Sequence, residues 1–267
     1  MAWLDETVRI GGFPISDMDF ARANSALQES FEGGPRRAVF FANTHFVVTC
    51  QDICADIASN PSILILNDGI GVSAARALIT KTRFAENLNG SDFIPRFLRE
   101  SVRPLRLYLL GASPNSVEGA AMAFGQIKGT QVVGRCDGYS LWSHEDDIIA
   151  EINRANPDIL LVGLGCPLQE KWILKNLARL NVPLTFAVGA LLDFMSGHQV
   201  RAPRWITKAK LEWCFRLLCE PRRLAYRYTL EMVSFFQIVF AQAFEPMPVI
   251  PANRLLAPAK DKHDLAA

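Results

Sequence analysis

The chain has 267 residues, 50% of them hydrophobic, and 28 basic against 27 acidic side chains leave a formal net charge of +1. That length and apolar content support one large core and exclude a disordered chain, and no apolar run approaches the ~18 residues a membrane-crossing helix needs. The near-neutral sum hides an asymmetry: residues 1–200 carry 17 basic and 21 acidic side chains, whereas residues 201–228 carry eight Lys and Arg against Glu212 and Glu220 alone. A basic C-terminal part points to an anionic partner.

In chain order, the first feature is Asp17-Met18-Asp19. It has the spelling of a metal-binding Asp-x-Asp but falls in a polar turn before the first helix, so no metal is assigned to it. Strand-like runs follow at 38–41, 63–66, 107–110, 131–133, 159–162 and 184–188, alternating with helix-like stretches at 51–59, 72–80, 93–100, 115–127, 145–155 and 168–179. This order predicts an α/β fold: a Rossmann-like, largely parallel sheet with helices on both faces and ligands at the carboxyl ends of the strands. Residues 1–200 form the expected Rossmann-like, ligand-binding core. Residues 201–245 break the rhythm as a basic and aromatic C-terminal helical appendage. Its Met232 to Phe244 stretch is almost wholly apolar, carries Phe235, Phe236, Phe240 and Phe244, and is too short to span a bilayer. Such a segment suits a headgroup interface, with cations on phosphates and rings at the acyl boundary; packing on the core or on a second subunit is the alternative. From Pro246 onward, Pro246, Pro248, Pro251 and Pro258 predict a flexible tail.

Six cysteines are scattered without CxxC spacing or a matching His set, and no signal peptide opens the chain. They read as reduced cytosolic thiols. Cys50 and Cys54, one helical turn apart, are expected to be buried small side chains rather than chelators.

Three strand ends carry the chemistry. The run Asp158-Ile-Leu-Leu-Val-Gly163-Leu-Gly165-Cys-Pro167-Leu-Gln169-Glu170 stops at a glycine pair before a helix start, where backbone N–H groups suit an anion. The run 107–110 leads into Gly111-Ala112-Ser113-Pro114, and 63–66 leads into Asn67-Asp68-Gly69-Ile70-Gly71. Any one of these is equally a tight turn; together they describe a ligand-facing edge.

Those motifs, with Gly138-Tyr139-Ser140, Val188-Gly-Ala-Leu-Leu-Asp193-Phe-Met-Ser-Gly197, Arg201-Ala-Pro-Arg204-Trp205 and Glu220-Pro-Arg222-Arg223, resemble the WecG/TagA/CpsF family of bacterial glycosyltransferases over about residues 8–228. The resemblance implies an inverting enzyme that moves a hexose-type sugar from a UDP-sugar to a polyprenyl-diphosphate-linked sugar at the cytoplasmic face of the membrane. It gives Asp68 the role of general base and places Gln169, Asp193 and Asn43 at the nucleotide sugar. Tyr139 suits the uracil, and Gly111 and Gly165 the close backbone approach. Each has a plainer reading: Asp68 as a turn or capping residue, Gln169 and Asp193 as helix-start polar groups, Tyr139 as a core aromatic.

Two departures bear on the donor. Phe41 stands where the family often has threonine, and Asn87 where it often has arginine before G-x-D. A missing cation could be supplied by Arg83, or by Arg201, Arg204, Arg216, Arg222 or Arg223 acting on a diphosphate. The same changes favour a plain hexose such as glucose, as in an exopolysaccharide pathway of the xanthan type, over N-acetylmannosamine. No cofactor or fixed metal is expected, since arginines and helix N-termini can neutralise a leaving diphosphate. Expected partners are the UDP-sugar, the lipid-linked acceptor and an anionic inner-membrane surface, with self-association open and nucleic acid excluded. The competing classes are another Rossmann-type nucleotide-cofactor enzyme, against which stands the lack of G-x-G-x-x-G after the first strand, and a non-catalytic membrane-associated scaffold.

Overall fold

The computed structural model describes residues 7–199, 215 and 231–244. Eight strands form one sheet in the order β1-β2-β4-β3-β8-β7-β5-β6. β1 (Thr7–Ile10) and β2 (Phe13–Ser16) are an antiparallel hairpin at one edge, and the other six run parallel: β3 (Arg37–Ala42), β4 (Ile63–Asn67), β5 (Leu105–Gly111), β6 (Thr130–Cys136), β7 (Ile159–Gly163) and β8 (Leu184–Ala187). All six strands expected from sequence are present. β3, β4, β7 and β8 are buried at every position, because helices cover both faces.

The alternation of side chains along the strands divides the core in two. Val39, Phe41, Leu107, Leu109 and Phe186 face a layer built from α1 (Phe20–Gln28), α5 (Gly90–Glu100), α6 (Pro114–Gly125) and α9 (Leu191–Met195). Ala38, Phe40, Tyr108, Leu110 and Val162 face α2 (Thr44–Thr49), α3 (Cys54–Ser59), α4 (Ile70–Thr80), α7 (Glu145–Ala155), α8 (Leu168–Asn176) and α10 (Met232–Phe244). A three-layer α/β/α sandwich results.

Two features differ from the sequence expectation. The segment 44–49 is helical although Thr, Phe and Val dominate it; Asn43 caps it and burial of Phe46 and Val47 outweighs weak propensity. Helix α10 has the expected bounds, yet one side of it is core: Phe235 and Val239 are fully buried, and Gln242 accepts from the Gly11 N–H at 2.7 Å and donates to the Arg9 carbonyl at 2.6 Å. Its other side exposes Val233, Phe236 and Phe240. Among the described residues, no helix is long and apolar enough to cross a membrane.

Candidate active site at the carboxyl edge of the sheet

The carboxyl ends of the parallel strands lie in register, with Ala42 beside Asn67, Val162 beside Ala187, and Gly111 beside Gly163. Adjacent strands are about 4.8 Å apart, so the loops leaving β4, β3, β8, β7 and β5 share one edge within about 20 Å. Connections from β5 and β7, which are neighbours, leave in opposite directions, toward β6 and β8. Such a reversal opens a crevice in a doubly wound sheet.

At one end of this edge, Asn43 and Asp68 meet. The Asn43 Nδ2 donates to Asp68 Oδ2 at 3.3 Å while its Oδ1 accepts from the Phe46 N–H at 3.0 Å, so one side chain caps α2 and holds the aspartate. The Asp68 N–H donates to the Ala42 carbonyl at 2.8 Å, which fixes the residue directly beyond β4. Gly69, at φ 91°, turns the chain into α4, and its N–H donates to Asn87 Oδ1 at 2.7 Å. A Cβ on Gly71 would lie 2.2 Å from Thr44 Cγ2, so with glycine here α2 and α4 begin side by side without displacing the Thr44 side chain. The N-terminal turn of α4, with its unsatisfied N–H groups, suits an anion next to the carboxylate.

Further along, a Cβ on Gly111, at φ 119°, would lie 2.4 Å from the Gly163 carbonyl oxygen. The Ala112 N–H donates to that oxygen at 2.9 Å, and the Gly138 N–H donates to the Ala112 carbonyl at 3.0 Å, tying the ends of β7, β5 and β6 into one backbone surface. Gly165 is also left-handed, with nothing within 4 Å of the space a Cβ would occupy. Asp137 accepts from the Tyr139 and Ser140 N–H groups, each at 2.9 Å, and from the Ser140 hydroxyl at 2.8 Å. Burial works to raise the Asp137 carboxyl, but these donors together bring it below the usual range. The turn presents Tyr139 as a 75% exposed ring, not a core aromatic.

Gln169 sits on the buried side of α8. Its Oε1 accepts from the Gly189 N–H at 2.9 Å and its Nε2 donates to Glu170 Oε1 at 2.8 Å, and 4% of the residue is exposed. The amide therefore ties the β7 turn to the β8 turn, which leads into α9 and the partly buried Asp193 in its first turn. Burial pushes the Glu170 carboxyl up to about 7, while the Gln169 amide, its own N–H and the Cys166 thiol pull the other way. Sequence reasoning missed the roles of Glu170, Gly189 and Asn87. The buried stripe Gln169, Trp172, Ile173 and Asn176 follows helical spacing and is the signal that turns Gln169 inward.

Arg83 is exposed on the loop between α4 and α5. Arg201, Arg204, Arg216, Arg222 and Arg223 lie outside the described residues. The Asp-x-Asp spelling is structural: Asp17 pairs with Arg76 and accepts the Ala85 N–H, Asp19 caps α1, and Met18 is buried.

The family model for the "Glycosyl transferase WecG/TagA/CpsF family" matches residues 8–248, a span that contains every strand-end motif of this edge. The chain belongs to the WecG/TagA/CpsF family. Similar curated members of the family include an N-acetylglucosaminyldiphosphoundecaprenol N-acetyl-beta-D-mannosaminyltransferase of Bacillus subtilis, 32% identical over 171 residues that cover 63% of this chain and 65% of that protein. A protein of the same name from Staphylococcus aureus is 27% identical over 218 residues, covering 76% of this chain and 84% of its own. This WecG/TagA/CpsF chain thus spans just under two thirds of the Bacillus relative and most of the Staphylococcus one.

Proposed function

We propose that the chain is an inverting hexosyltransferase that moves a sugar from a UDP-sugar to a sugar carried on a polyprenyl diphosphate. The observation that carries this reading is Asp68, held by Asn43 beside the start of α4 and on the same strand edge as the Gly111–Gly163 backbone surface. In a single displacement the acceptor hydroxyl oxygen forms a bond to the anomeric carbon as the bond to the UDP oxygen breaks. Asp68 takes the hydroxyl proton, and UDP leaves as an anion. The glycine turns after β5 and β7 let the diphosphate approach backbone N–H groups, and Tyr139 offers a face for the uracil. Gln169 acts by fixing the turn that carries Asp193 rather than by touching the sugar. Arg83 and the arginines of 201–223 supply positive charge for the two diphosphates, so transfer needs no added Mg²⁺ or Mn²⁺.

The donor is a hexose-type sugar. Of the two residues that favour glucose, Phe41 is 7% exposed and packs against Phe93 and Phe186, which weakens its bearing on the sugar; Asn87 braces the Gly69 N–H. Because the relatives are named as N-acetyl-beta-D-mannosaminyltransferases, the donor panel includes UDP-N-acetylmannosamine beside UDP-glucose. The acceptor lipid brings the enzyme to the inner face of the cell membrane, where the basic segment 201–228 meets anionic headgroups. Purified protein, radiolabelled UDP-sugars and a lipid-linked acceptor test the reading. The expected result is one labelled lipid product with inverted anomeric configuration. Retention of configuration, or thermal stabilisation by NAD but not by UDP, would overturn it.

A further inference from the structure

Behind the turn that holds Gln169, one cluster joins two distant parts of the chain. Cys50, at the C-terminal end of α2, is fully buried, and its Sγ lies 3.6 Å from that of Cys166 in the β7–α8 turn. Thr49 Oγ1 lies 3.3 Å from the same Cys166 sulfur. Both sulfurs and a carboxylate oxygen of Glu170 fall within 4.8 Å of one another. Glu170 is 1% exposed, and while its Oε1 accepts from Gln169, its Oε2 is buried with no hydrogen-bond partner. A buried carboxylate oxygen without a hydrogen-bond partner of ordinary length is costly, and a cation between it and the two sulfurs would supply one.

We propose that Cys50, Cys166 and Glu170 bind a thiophilic divalent cation of the zinc class, which pins the end of α2 to the β7–α8 turn. Two thiolates on a tetrahedral zinc at about 2.3 Å stand about 3.8 Å apart, close to the sulfur separation already present. Two sulfurs and one carboxylate select zinc or cobalt over magnesium or calcium. On binding, both thiol protons leave to solvent, with the carboxyl proton where Glu170 carries one, and three anionic ligands around a divalent ion leave a net charge of −1. The Lys171 ammonium, paired with Asp52, lies within electrostatic reach of both sulfurs and tempers that charge only in part. The fourth position falls to the Thr49 hydroxyl or to water. The ion is structural: it locks α2, which Asn43 caps, against the turn that holds Gln169, and no step of the transfer passes through it. A disulfide between the two cysteines would leave the Glu170 oxygen unexplained.

The test uses the full chain, reduced, stripped with a chelator and re-equilibrated with Zn²⁺, Co²⁺ or Mg²⁺. Expected are one zinc per chain by elemental analysis, a sulfur-to-cobalt charge-transfer absorption with Co²⁺, a raised melting temperature with both, and no effect of Mg²⁺. Cys166→Ser abolishes the absorption, Glu170→Gln keeps it but weakens affinity on the order of tenfold, and Cys136→Ser changes neither. If Cys166→Ser does not fold, the unmodified chain still decides: Zn²⁺ should slow alkylation of Cys50 and Cys166, read by peptide mass spectrometry, without slowing that of Cys54 or Cys136. No stoichiometric zinc in the reduced chain, uptake unchanged by Cys166→Ser, or a Cys50–Cys166 disulfide forming in protein that takes up no ion would each overturn the site.

Discussion

Replacing Asp68 by asparagine tests the proposed chemistry with little disturbance of shape. The side chain is partly buried, and its contact from the Asn43 amide, at 3.3 Å, is near the long limit of a hydrogen bond and contributes about 1 kcal/mol at most. The backbone bond from the Asp68 N–H to Ala42 is untouched by the change. With UDP bound at the glycine turns after β5 and β7, as proposed, its affinity should stay within about twofold, by the same small coupling. What the substituted amide lacks is the ability to accept a proton, and loss of a general base costs about 10²–10⁴ in rate, or about 3–5 kcal/mol of barrier. Single-turnover transfer from a radiolabelled UDP-sugar, together with UDP calorimetry and a melting curve, separates the contributions. A rate within tenfold of the parent, or a loss that follows weaker UDP binding or unfolding, would refute the assignment of Asp68 as base.

Three further outcomes follow from the packing. Gly111→Ala forces a left-handed backbone on alanine and drives its Cβ toward the Gly163 carbonyl, so urea denaturation should register a loss of at least about 1–3 kcal/mol, with UDP binding lost in whatever folds. Phe235→Ala should cost about 3–5 kcal/mol because α10 is built into the core; a change near zero would mean the helix is detached from it. In Asp17, burial raises the carboxyl, but the Arg76 guanidinium and the Ala85 N–H outweigh it and hold it below the ordinary value. A depressed carboxylate stabilises the fold fully above its unfolded value and loses that contribution as pH falls through its folded value. Asp17→Asn should therefore destabilise by about 1–3 kcal/mol at pH 7 and by progressively less as pH falls below the ordinary carboxylate range, and a loss that does not shrink with falling pH would be contrary to this linkage.

Of the six parallel strands, β3, β4, β7 and β8 were legible as apolar runs buried at every position and β5 as one buried at all but Arg106, whereas the edge strand β6, buried nowhere along its length, showed only through Val132 and Val133. The β1–β2 hairpin was not: four-residue strands around Gly11-Gly12 carry too little periodicity, and the Gln242 bonds that hold their turn come from 231 residues away. Helix α2 hid behind β-branched residues, and α10 showed its length but not its docking side. Of the site, the strand-end turns at Asp68, Gly111 and Gly165 could be read from the pattern of apolar runs and glycines, whereas Asn43, Tyr139 and Asp193 entered only through the family resemblance. The inward turn of Gln169 could have been read from the stripe it shares with Trp172, Ile173 and Asn176. The meeting of Cys50 with Cys166, 116 residues apart, had no local signal at all.

A structure with a bound, unreactive UDP-hexose analogue bears most directly on the central claim. The diphosphate should rest against the backbone at Gly111 and Gly165, the uracil on Tyr139, and the anomeric carbon should face the space beside Asp68 and Asn43. A nucleotide bound at the amino ends of the strands, or a sugar on the far side of the sheet from Asp68, would contradict it.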